Sequence, residues 1–88
     1  MTLAAQKTFV YRKEVLFTRI ENEIVLLHLE SEFYFTLNET GARIWELLAQ
    51  YSFDGLVQEL MNEYEDLNVS TLSDFISELL DKELIECK

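Results

Sequence analysis

The sequence predicts an α+β domain in which a three-stranded antiparallel sheet is followed by three helices, in the order β-β-β-α-α-α. Two observations lead there. Up to residue 37 the apolar side chains sit in short β-favouring runs separated by polar turns, whereas from residue 44 they recur at spacings of three and four. The change falls within one stretch, EFYFTLNETGARIW over residues 32–45, where a strand hands over directly to a helix. Asn38 can accept a hydrogen bond from a free N–H of the first helical turn, Glu39 places negative charge there, and Gly41 lets the helix lie close to the sheet.

No element is expected before about Lys13, and residues 1–12 are read as a lead that is flexible or extended along the domain. Residues 14–20, with Val15, Leu16, Phe17 and Thr18, form the first strand, and Glu21, Asn22 and Glu23 make a compact turn. Residues 24–29 are almost continuously apolar, as expected of the middle strand of a meander. Glu30, Ser31 and Glu32 turn the chain again, and residues 33–37 form the third strand, with Phe35 and Leu37 on the core face by alternation.

The first helix is expected to run to about Gln50, covering one side of the sheet with Ile44, Trp45, Leu47 and Leu48. Ser52 caps the second, whose Leu56, Val57, Leu60, Met61 and Tyr64 repeat at helical spacing and read as core. The third helix starts at Ser70 or Thr71, with Asp74 as a capping-box partner, and buries Leu72, Ile76, Leu79 and Leu80 with Phe75 at the margin. Residues 84–86 either lie back against the sheet or continue as a frayed turn.

Eighty-eight residues, 49% of them hydrophobic, suffice for one domain with one core and no metal or disulfide. Seventeen acidic side chains against seven basic ones give a net charge of -10. Residues 1–30 hold four of each sign, so the whole excess lies in the rest of the chain. That imbalance argues against nucleic acid and against anionic membrane, both of which demand a basic footprint. The last two helices have winged-helix lengths, but the third would present Ser73, Asp74, Ser77, Glu78 and Asp81 to DNA phosphates. No apolar run reaches membrane-spanning length and residues 1–6 lack a secretory signal, so the cytoplasm is the expected compartment.

Catalytic candidates are sparse. His28 is embedded in a strand, the single Cys87 sits at the C-terminal end, and no His/Cys cluster has metal-ligand spacing. There is no glycine-rich phosphate loop, and the Glu59/Glu63 pair on one helix face reads as solvated charge. Neither catalytic residues, nor a metal, nor a cofactor is expected. Tyr34, on an edge strand, has an apolar ring and a polar tip suited to packing against polypeptide.

The run Tyr34-Phe35-Thr36-Leu37-Asn38-Glu39-Thr40-Gly41-Ala42-Arg43-Ile44-Trp45 resembles the aromatic-x-Leu-Asn-x-Thr-Gly-x-x-Ile/Leu-Trp signature of PqqD-like proteins. Glu63-Tyr64 and the spacing through Val69, Asp74, Phe75, Leu79 and Leu84-Ile85 are similar to the weaker C-terminal pattern of that family. The resemblance covers nearly the whole chain. It implies a winged helix-like domain that binds, without catalysis, the leader segment of a ribosomally made precursor peptide as an added strand, and presents the rest to a separate modifying enzyme. The peptide site it implies is Phe33, Tyr34, Phe35, Thr36 and Leu37 on the third strand, facing Leu72, Asp74, Phe75, Ile76, Leu79 and Leu80 on the third helix. A lasso-peptide system with a leader protease is the favoured setting; the alternative is a peptide chaperone of pyrroloquinoline quinone synthesis working with a radical enzyme. A homomeric structural module is a further alternative, because an unpaired aromatic edge can template a second copy. A monomer is favoured, with edge-mediated dimers at high concentration.

Overall fold

A computed structural model describes residues 7–87. The element order is β1 (Phe9–Tyr11), β2 (Val15–Ile20), β3 (Glu23–His28), β4 (Tyr34–Leu37), α1 (Glu39–Leu48), α2 (Phe53–Glu63), α3 (Val69–Asp81) and β5 (Ile85–Cys87). β2, β3 and β4 form the expected antiparallel meander, and the three helices follow in a winged-helix-like arrangement.

Alternation within β3 decides which face of the sheet is buried. Ile24, Leu26 and His28 point into the domain, and their cross-strand partners on β4, Leu37 and Phe35, point the same way. α1 covers that face with Ala42, Ile44, Trp45, Leu47 and Leu48, all buried. Trp45 has no exposed surface; Tyr11 stacks on it at 4.4 Å between ring centroids, and Phe17 meets it edge-on at 5.4 Å. The Tyr11 hydroxyl donates to the Trp45 carbonyl, and burial, with the nearby negative charge of Glu46 second, pushes its pKa up to about 12.

Each helix start has a side-chain cap. Asn38 Oδ1 accepts from the Gly41 N–H at 2.8 Å and Ser52 Oγ from the Gly55 N–H at 3.4 Å, both at the expected helix starts. The third helix departs from expectation. It begins at Val69, with Asn68 Oδ1 accepting from the Thr71 N–H at 2.8 Å, so the cap is Asn68 and neither Ser70 nor Thr71. Asn is as good a cap as Ser or Thr, and its place at the end of the irregular stretch Glu65-Asp66-Leu67-Asn68 hides it. Arg43 holds α1 to α2 through paired bonds to the Glu63 carboxylate, at 2.7 and 3.0 Å, and this keeps the Glu63 pKa below its ordinary value.

A second correction concerns the chain ends. Where no element is expected, Phe9–Tyr11 forms β1, pairing antiparallel with β5 in a separate two-stranded sheet. Phe9 and Ile85 are 1% and 2% exposed, so this ribbon closes one end of the core. Residues 84–86 are therefore neither frayed nor laid on the main sheet. That part of the N-terminal lead covering residues 1–6 lies outside the described residues.

Candidate functional site

β4 is an edge of the main sheet, and its register shows which backbone groups are free. The His28 N–H donates to the Phe33 carbonyl at 3.0 Å, which makes 28 and 33 a hydrogen-bonded pair in the antiparallel ladder. Bonded and non-bonded pairs alternate, so Phe35 opposite Leu26 and Leu37 opposite Ile24 are also bonded to β3. Tyr34 and Thr36 lie between them. Their N–H and C=O groups point away from β3, which leaves two donors and two acceptors along an edge that is open among the described residues.

A cleft of about 410 Å³ runs beside that edge. One wall is β4 itself, from Tyr34 to Leu37; the other is one face of α3 and the turn after it, with Phe75, Glu78, Leu79 and Lys82, and Leu84 joins them. Phe75 is mostly buried but keeps an exposed margin, whereas Tyr34 is 71% exposed. Charge is confined to Lys82 and Glu78, which pair with each other at 3.0 Å, and the Lys82 ammonium lies 5.9 Å from the centre of the Phe35 ring. A second cavity of about 390 Å³ continues past the start of β4, sharing Phe35 and Lys82 and adding Phe33, His28 and Ser31 together with the acidic Asp81 and Glu83. The cleft beside β4 suits an extended chain that bonds through its backbone and sends alternate side chains onto the apolar walls of Phe35, Leu37, Phe75 and Leu79.

Of the residues expected at this site, Tyr34, Phe35, Thr36, Leu37, Phe75 and Leu79 line the cleft together. Phe33 lines the adjoining cavity. Leu72 and Ile76 have no exposed surface and belong to the core; Leu80 packs partly buried against it, and Asp74 is exposed outside the lining. Glu78, Lys82 and Leu84 line the cleft without having been anticipated. For Glu78 and Lys82 the signal was present, because they lie three and seven residues after Phe75, on the same helix face.

Groups with chemistry lie apart from one another. His28 is 3% exposed and its Nδ1 accepts from the Ser31 N–H at 3.3 Å, which ties down the turn before β4. Cys87 is exposed on β5. Among the described residues no group of His, Cys, Asp and Glu side chains could hold a metal ion, and no helix is long and apolar enough to cross a membrane.

Fold and site together define a small winged-helix-like domain whose distinguishing surface is an open strand edge beside an apolar cleft. The chain belongs to the PqqD family: the family model described as coenzyme PQQ synthesis protein D matches residues 23–85, from β3 to the first residue of β5. Among solved structures it is similar to TbiB1 in complex with the TbiA(beta) leader peptide, with 34% sequence identity, a TM-score of 0.76, and coverage of 86% of this chain and 93% of that one. It shares its fold with lasso peptide synthetase B1 complexed with the leader peptide, at 24% identity and a TM-score of 0.77, over 89% of this chain and 96% of that one. Comparison with curated proteins finds no match.

Proposed function

We propose that this protein binds the leader segment of a ribosomally made precursor peptide as a fourth strand along β4, without catalysis, and presents the remainder to a separate processing enzyme. The observation that carries the reading is the free backbone of Tyr34 and Thr36 above a cleft walled by Phe35, Leu37, Phe75 and Leu79. Main-chain bonds align the leader, and the cleft selects side chains on the strand face turned toward α3. Tyr34 and Thr36 offer further contacts at the outer rim. Likeness to two leader-bound B1-type structures, one at 34% identity, supports a lasso-peptide system in which a leader protease receives the held precursor. The family model, described by coenzyme PQQ synthesis, supports the alternative of a peptide chaperone serving a radical enzyme.

The test is a titration of labelled protein with the cognate leader, followed by amide shifts. Perturbation centred on residues 33–37 and on Phe75, Leu79 and Lys82 is expected. A leader that binds while leaving those amides unmoved would place the site elsewhere. Cleavage of the leader on addition of a neighbouring protease selects the lasso reading, and modification by a neighbouring radical enzyme selects the alternative.

A further inference from the structure

The sheet has a second open edge, β2, which the leader-binding reading does not use. The Leu29 N–H donates to the Glu14 carbonyl at 2.8 Å, which sets the same alternation on this side. Leu16, Thr18 and Ile20 turn their backbone groups to β3, and Val15, Phe17 and Arg19 turn theirs outward. The Val15 N–H is taken by the Arg12 carbonyl at 3.1 Å. Phe17 and Arg19 keep both their N–H and their C=O without a partner among the described residues.

Apart from one charge turned toward the helix side, this edge carries none of the usual protection. β2 is six residues long, VLFTRI, in unbroken register with β3, with no proline, no glycine and no bulge. Its one charge, Arg19, is occupied by Glu46 of α1. Leu16 and Ile20, 55% and 56% exposed, stand with Thr18 on the outer face of the sheet, and Phe17 is 46% exposed. Edges of this length are ordinarily blunted by lysine, proline or a bulge, since they template pairing with another chain. β2 also lies in the part of the chain where opposite charges cancel, away from the acidic excess of residues 31–88. A second copy therefore meets less repulsion here than at the helices.

We infer that β2 is a self-association edge: it pairs antiparallel with β2 of a second copy about a two-fold axis at Thr18, giving one continuous six-stranded sheet. The register follows from which groups are free. With Thr18 opposite Thr18, Phe17 of each copy faces Arg19 of the other, and both free N–H and C=O pairs are satisfied twice. Centring the axis on Phe17 instead would call on the Val15 N–H, which is already donated. In the favoured register Leu16 of each copy packs beside Ile20 of the other, and the strand ends bring the exposed Lys13 of each copy toward the exposed Glu21 of the other. The two β4 edges remain free at opposite ends of the sheet, about 25 Å apart at ordinary strand spacing, so each copy keeps its own leader site. A six-residue edge falls short of the roughly 1,000 Å² of a durable interface, and the dimer dissolves on dilution.

Sedimentation equilibrium of the full chain up to millimolar concentration tests this, with cross-linking to fix the register. Wild type is expected to pass from monomer to dimer with rising concentration. Thr18→Lys sets two like charges opposite each other across the axis and raises the dissociation constant about tenfold or more at unchanged melting temperature. In a Cys87→Ser background, Thr18→Cys closes an intermolecular disulfide under mild oxidation, because non-bonded pairs place their Cα atoms about 4.5 Å apart. Leu16→Cys or Ile20→Cys alone stays uncross-linked, and a mixture of the two cross-links. Thr36→Pro, which blocks the β4 edge, leaves the dimer intact. A chain that stays monomeric throughout overturns the inference and leaves β2 to a different protein. A dimer abolished by Thr36→Pro but kept by Thr18→Lys moves the association to β4 and overturns it equally. No arm uses a leader peptide, so failure here is separate from failure of leader binding.

Discussion

Proline at position 36 separates the two roles of β4, and the parity of the ladder is what makes the test sharp. Thr36 lies opposite Val25 in a non-bonded pair, so its N–H points to the open edge and its loss removes no bond to β3. Edge strands accept proline at such positions. The expected stability loss is therefore about 1 kcal/mol, from narrowing φ to the proline value. For an incoming leader the effect is larger. One of the four edge groups offered by Tyr34 and Thr36 disappears, and the ring occupies the space where the leader carbonyl would approach. Losing one main-chain bond and stretching its neighbour amounts to about 1–3 kcal/mol, a roughly tenfold to hundredfold weaker complex. Calorimetric titration with the cognate leader, beside a thermal melt of the variant, reads both quantities. Hydrogen exchange gives an independent reading: the Tyr34 and Thr36 amides exchange fast in the free protein and slow down with leader bound, while Phe35 and Leu37 are protected throughout. A folded Thr36→Pro protein with unchanged affinity would refute strand addition at β4. Protection of the Tyr34 and Thr36 amides before any leader is added would refute the parity itself.

The remaining predictions use the same contrast between what is already buried and what stays available. Tyr34 is 71% exposed, so Tyr34→Ala leaves the melting temperature within a few degrees but weakens leader binding by about 1–2 kcal/mol. Phe75 is mostly buried before any leader arrives, so Phe75→Ala costs about 2–3 kcal/mol of stability and a smaller share of affinity, read by denaturant unfolding and titration together. Tyr11 is neutral in the fold up to about pH 12, well above the ordinary phenol pKa. Its contribution is complete below pH 10 and is lost as the pH rises from there to 12; Tyr11→Phe should remove that alkaline slope, and an unchanged slope would count against burial as its cause. Glu63 has its pKa lowered by Arg43, so the pair supports the fold at neutral pH and its contribution is lost as the pH falls through the depressed Glu63 value. Acid titration of Arg43→Gln should show that portion of the slope missing, and a slope identical to wild type would assign it to other carboxylates.

Local pattern determined the meander, the order of the elements and the strand-to-helix junction, because those features rest on contacts within about a dozen residues. The run from Phe33 to Trp45 carries the β-favouring side chains, the Asn38 cap and the apolar stripe in immediate succession, and each has the structural role its chemistry suggests. Phe35 and Leu37 face inward as alternation requires, and Phe75 stands at the margin of α3 where its position in the stripe puts it. The pairing of β1 with β5 was not legible. Two three-residue strands carry too little periodicity to register, and Phe9 meets Cys87 only after the whole chain has folded between them. The far wall of the cleft was settled by packing as well: Leu72 and Ile76 are turned wholly into the core, while the polar Glu78 and Lys82, neither of them expected at a peptide site, stand at its mouth. Hydrophobicity says which side chains avoid water, but how α3 lies against the sheet decides which of them still has a surface to offer a partner. The same holds for the two open edges. β-propensity marks both strands, and only the hydrogen-bond parity of the assembled sheet shows that Tyr34 and Thr36 on one side, and Phe17 and Arg19 on the other, hold their backbone groups free.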